Sequence, residues 1–80
     1  MQVGDIVKSY DFHGRTDCYM LGRVVSISKL HGDFRAEYLG RVFAGNVDKK
    51  FKTDFFTAPL QGNAMFDEAF PDFQRVEVVA

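Results

Sequence analysis

The sequence predicts an all-β domain: a small, five-stranded, strongly bent antiparallel barrel with at most one short helix near 64–70. Three observations predict it. Runs rich in Val, Ile, Tyr and Phe recur along the chain, separated by Gly, Asn and Asp clusters. Two of these runs are long and flank a short Gly-containing segment, the pattern of a hairpin. Alternate positions across that pair carry no charge and many small side chains, which suits the inner face of a sharply curved sheet.

The elements follow in order. "DIVKSY" (Asp5–Tyr10) reads as the first strand, and the polar, Gly-centred "DFHGRTD" (Asp11–Asp17) as a loop. Cys18–Leu30 and Phe34–Ala44 are the two long strands, joined through His31-Gly32-Asp33. "FKTDFFT" (Phe51–Thr57) alternates Phe51, Thr53 and Phe55 with Lys52 and Asp54, and "DFQRVEVV" (Asp72–Val79) is the last strand. Between them, Asn63 is placed to cap a short helix over Ala64–Phe70 that ends at Pro71, with Phe66, Ala69 and Phe70 on one face. An irregular loop is the other reading of 58–71. Val24, Val42, Phe55 and Val78 are expected to point inward.

Leu-Gly-Arg-Val occurs twice, at Leu21–Val24 and Leu39–Val42. Folding the hairpin makes the two copies antiparallel neighbours, so they read as two strands meeting one packing demand. A three-residue loop pairs Leu30 with Phe34 and sets Arg23 opposite Arg41; the left-handed tolerance of Asp33 favours it. A five-residue loop pairs Ile27 with Leu39 and Lys29 with Glu37, and cross-strand charge pairing favours that one. In either register Gly22 and Gly40 fall on the uncharged face as bend positions. The opposite face carries Leu21, Val25, Ile27, Leu39 and Phe43 among its charges, too many apolar groups for a solvated surface.

Val3-Gly4-Asp5-x-Val7 followed by Gly22-x-Val24 resembles the first two strands of small SH3-like and Sm-like barrels. "VGDIVKSYDF…DCYMLGRV" is also similar to short uncharacterised proteins of cyanophages and marine metagenomes. The resemblance implies a small barrel and no activity.

The 80-residue chain, read as a single domain over 1–80, buries only a modest fraction of its unfolded surface. Its one cysteine, Cys18, closes no intrachain disulfide, so further stability must come from oligomerisation. A hydrophobic content of 46% excludes a disordered chain, and a formal net charge of −1 supplies no overall field for nucleic acid or an anionic membrane. No signal-peptide pattern or membrane-length apolar run is visible, so a cytoplasmic location is expected.

Asp11, His13, Asp17 and Cys18 cluster without any recognised metal-ligand spacing. Neither His13 nor His31 has an orienting third group that would make Cys18 a nucleophile. Asp67-Glu68 reads as a solvated surface pair. The chain is therefore expected to be non-enzymatic, with no cofactor, metal or small-molecule ligand, and Cys18→Ser is expected to leave fold and association intact.

The leading class is a self-assembling module. Strand edges together with Leu21, Val25, Ile27, Leu39, Phe43, Val76 and Val78 form its interface. The alternative is single-stranded nucleic-acid binding through the one basic cluster, Lys49, Lys50 and Lys52, with Arg23 and Arg41.

Overall fold

His13 and Gly14 form a two-residue turn, with Gly14 at φ 74°, that joins β1 (Ile6–Phe12) directly to β2 (Arg15–Ser28). Most of the segment expected to be a loop is therefore strand. The computed structural model describes residues 1–62 and 65–80, with the backbone alone of Phe66. β3 (Asp33–Phe43), β4 (Asn46–Val47), β5 (Phe55–Pro59), the short helix α1 (Met65–Ala69) and β6 (Val76–Val78) complete the described elements.

The strands form one antiparallel sheet, ordered β4-β3-β2-β1-β6, with β5 pairing the other half of β3. Six strands replace the expected five because Ala44-Gly45, both at positive φ, turn the chain back on itself and set Asn46 against Phe43. β5 starts at Phe55 rather than Phe51. The sheet is not closed: among the described residues no ladder joins β6 to β4 or β5.

The central hairpin adopts neither expected register. Ser28 pairs with Asp33 across a four-residue loop, Lys29–Gly32, and Gly32 rather than Asp33 takes the left-handed conformation (φ 70°). Two irregularities then break the alternation. Val25 is an extra residue on β2 and Leu39 an extra residue on β3. The first turns Ile27 onto the core, opposite Phe34, and leaves Ser26 and Leu30 exposed. The second sets Gly40 opposite Leu21 and Arg41 opposite Met20. Arg23 faces Glu37, and their side chains form an ion pair at 2.9 Å.

The core comprises Val7, Val24, Phe34, Ala36 and Ala58, with Ile27, Phe56, Leu60 and Val76 packed against it. Of the four residues expected inward, Val24 is buried and Val42 half-buried. Phe55 is 41% exposed, because pairing Ala36 with Phe56 turns Phe56 and Ala58 to the inside instead. Val78 faces Val7 in register but is 47% exposed, at the end of β6. A second cluster lies outside this core, where Tyr10 packs edge-on against Tyr19 and Phe73. There the Tyr10 hydroxyl donates to Glu77 at 3.0 Å, and burial followed by that carboxylate raises the Tyr10 pKa.

α1 falls within the expected helical stretch, while Asn63 and Ala64 lie outside the described residues. Asp67 is not solvated: it is 3% exposed, and its Oδ2 accepts the Gly62 N–H at 3.1 Å.

The two glycines of the repeated motif differ in what they do. A Cβ on Gly22 would lie 2.5 Å from Phe56 Cε1 and 2.8 Å from the Ala36 Cβ, whereas one on Gly40 meets nothing within 4 Å. Gly22 is thus the position that lets β5 fold over β2. Gly22→Ala should cost about 1–3 kcal/mol in denaturant unfolding, the usual scale of core overpacking, and Gly40→Ala should be near neutral.

Candidate functional site

The site begins where the sheet fails to close. The Tyr10 N–H donates to the Arg75 carbonyl at 2.9 Å and the Val79 N–H to the Ile6 carbonyl at 2.8 Å. By strand alternation, the backbone groups of Val76 and Val78 turn away from β1, toward the open side. There the Val76 N–H donates to Gln61 Oε1 at 3.1 Å, and its carbonyl accepts from Gln74 Nε2 at 3.2 Å. Gln61 Oε1 also accepts the Arg75 N–H, and its Nε2 donates to the Phe73 carbonyl at 3.1 Å. One side chain just beyond β5 thus ties three backbone groups leading into β6. Among the described residues the outward backbone groups of Val78 have no partner, so this edge is open.

The edge of β5 is different. The Tyr38 N–H bonds the Asp54 carbonyl and the Leu60 N–H bonds the Gly32 carbonyl, both at 2.9 Å, so Phe55, Thr57 and Pro59 present the outer edge. Pro59 has no N–H, and the Thr53 hydroxyl donates to the Phe55 carbonyl at 3.1 Å. That edge is blunted against pairing. Between the β5 and β6 ends lies a groove of about 750 Å³, lined by Met1, Ile27, Leu60, Val76 and Val78 together with the polar side chains of Lys29, Gln61 and Gln74.

The seven residues expected at an oligomer interface fall into three places. Ile27, Val76 and Val78 line this groove. Val25 and Leu39, each 40% exposed, are the two extra residues of the hairpin, and Leu21 is half-buried opposite Gly40. Phe43 lies at the far end of β3, next to β4.

The basic residues divide as well. Arg23 is engaged by Glu37. Arg41 lies beside two rings, its guanidinium carbon 5.3 Å from the centroid of Phe51 and 5.8 Å from that of Phe43. Lys49, Lys50 and Lys52 are exposed on the adjoining segment. The Asp48 carboxylate accepts the N–H groups of Lys50 and Phe51 at 3.0 and 3.1 Å, and those bonds hold its pKa below the usual value. Sequence reasoning missed Gln61, whose partners lie 12 or more positions away. It also missed Asp48, although an Asx turn is legible in Asp48-Lys49-Lys50.

Of the residues around the first turn, Cys18 and Asp17 meet, the thiol donating to Asp17 Oδ1 at 3.7 Å, and His13 finds a separate partner. Asp17 pairs with Arg15 at 3.0 Å, His13 stacks on Phe70 with centroids 3.7 Å apart, and Cys18 is fully buried, its sulfur accepting the Ala44 N–H at 3.3 Å. Among the described residues, no group of three or more His, Cys, Asp or Glu side chains is placed to hold a metal ion. No described helix is long and apolar enough to cross a membrane.

No protein-family model, curated protein or solved structure matches the chain.

Two stability outcomes follow from these placements. Cys18→Ser, expected from sequence to leave fold and association intact, should cost no more than about 1 kcal/mol in denaturant unfolding, because the Ala44 N–H and the Asp17 carboxylate that bond the thiol are placed to bond the hydroxyl. Among the described residues Asp11 Oδ2 is buried without a hydrogen-bond partner; burial raises its pKa, and attraction to Arg41 and Arg75 only partly opposes that rise. A raised carboxyl pKa makes the ionised form a cost to the folded state, present at neutral pH and relieved as pH falls through the raised value. Asp11→Asn should therefore stabilise the protein at pH 7, with the gain shrinking in acid; thermal melts across that range measure it.

Proposed function

We propose that the protein is a non-enzymatic association module, a small β-barrel of the SH3-like or Sm-like kind, that self-assembles in the cytoplasm through the open edge of β6. The observation that carries the reading is the Val78 edge, unpaired among the described residues, beside a groove lined in part by Ile27, Leu60 and Val76. A second copy is the occupant that fits. Two β6 strands meeting antiparallel about a two-fold axis at Val78 form a self-complementary contact, each Val78 exchanging backbone hydrogen bonds with its counterpart. Pairing β6 of one copy with β5 of the next, as a head-to-tail ring requires, is opposed by Pro59. A dimer is favoured over a ring.

Exposed apolar area supports this reading. Val78, Val79 and Met1 are 47%, 42% and 41% exposed along this end of the molecule. Burying what remains of each is worth about 1 kcal/mol, counted on both copies and set against the cost of association. The resulting affinity is modest.

Light scattering behind gel filtration tests it. At about 50 micromolar, well above a micromolar dissociation constant, the mass should be twice the 9.1 kDa of one chain. Val78→Lys, a charge set on an open edge, should return it to one chain with the fold intact. A wild-type monomer at that concentration contradicts the proposal. So does a Val78→Lys dimer that Val25→Lys and Leu39→Lys dissociate, since the outer face would then be the interface.

A further inference from the structure

We propose that the segment from Phe43 to Lys52, with Tyr38 and Arg41 behind it, is a site for single-stranded nucleic acid that tolerates any base sequence. It lies at the end of β3 remote from the Lys29–Gly32 loop, and none of its residues lines the groove beside β6.

Its first requirement is a stacking surface. Phe43 and Phe51 are 46% and 37% exposed, so each leaves ring area for a base. Both are held in place. Phe43 is paired with Asn46 across the Ala44-Gly45 turn. Phe51 is fixed by the Asp48 carboxylate on its N–H, and Tyr38 packs edge-on against it at 5.4 Å while donating its hydroxyl to the Phe51 carbonyl at 3.4 Å. Arg41 contacts both rings, adding a cation to each aromatic face. A cleft of about 550 Å³, lined by Tyr38, Lys52, Thr53 and Asp54, continues the surface.

The second requirement is charge. Arg41, Lys49, Lys50 and Lys52 outweigh Asp48, Asp54 and the Asp11 carboxylate that faces Arg41, despite the overall net charge of −1. Neither ion pair among the described residues involves any of the three lysines. Exposed rings interleaved with such cations match an unpaired strand, whose bases stack while its phosphates meet the lysines. An acidic peptide would use the cations and leave the rings idle, and a duplex keeps its bases stacked inside.

The test is fluorescence anisotropy of labelled oligo(dT) and oligo(U) of about 12 nucleotides, a span within the range of small-barrel sites. Duplex DNA, heparin and a poly-glutamate peptide serve as competitors. Both single strands should bind at low salt and outcompete duplex and peptide. Phe43→Ala and Phe51→Ala should each weaken binding about tenfold. K49E/K50E/K52E should abolish it, and the wild-type slope of log affinity against log salt should include about −2 from three phosphate contacts. If Phe51→Ala unfolds, Phe51→Leu keeps apolar volume without the ring and should show the same loss. No binding at low salt overturns the proposal, and so does binding that heparin or duplex matches and that is indifferent to loss of either ring. The K49E/K50E/K52E variant should keep the wild-type mass in light scattering, so this site and the β6 edge fail or stand separately.

Discussion

The gap between β5 and β6 is the constraint from which the rest of this molecule follows. β5 folds back across β3 and delivers the Phe56 ring onto Gly22, where no larger residue fits without displacement. That approach builds the core, yet it leaves β5 out of register reach of β6, which among the described residues pairs with β1 alone. Gln61 spans the gap with side-chain bonds in place of a ladder. The groove, the open Val78 edge and the short last strand are consequences of that substitution.

A core this small explains why the surface stays apolar. Among the described residues Phe34, Val7, Val24 and Cys18 are the largest side chains essentially free of solvent contact, while Phe12, Phe43, Phe55 and Phe70 stay well exposed. A chain of this length cannot enclose all of them. Part of the exposed set is steadied by cations, with Arg35 over Phe55 at 4.5 Å and Arg41 over Phe43 and Phe51. The valines at the end of β6 have no such cover, which separates an edge suited to a second copy from ring faces suited to a stacked ligand.

Strand content was legible because β-branched and aromatic runs are separated by unmistakable turn residues, and the small-residue face correctly singled out Gly22, Val24 and Ala36. What was not legible was parity. Two single-residue insertions, Val25 and Leu39, break the period-two rule inside the strands, and nothing local in "RVVSIS" or "EYLGRV" announces them. Ile27 was consequently read as an outer residue when it packs on the core, and Phe55 was taken for its neighbour Phe56. The basic cluster was visible as composition, but its aromatic partners Tyr38 and Phe51 emerge only once β3 and the Asp48 turn bring them together. Gln61 was invisible because a clasp to a distant backbone leaves no periodic signature.

Backbone amide exchange at Val76 and Val78, followed as a function of protein concentration, tests self-association at the open edge most directly. The Val76 N–H is already bonded to Gln61 within one chain, so its protection should not change with concentration. The Val78 N–H gains its partner only from a second copy, so its exchange should slow as concentration rises and recover on dilution. A Val78 amide that exchanges at one rate at every concentration would contradict pairing through β6.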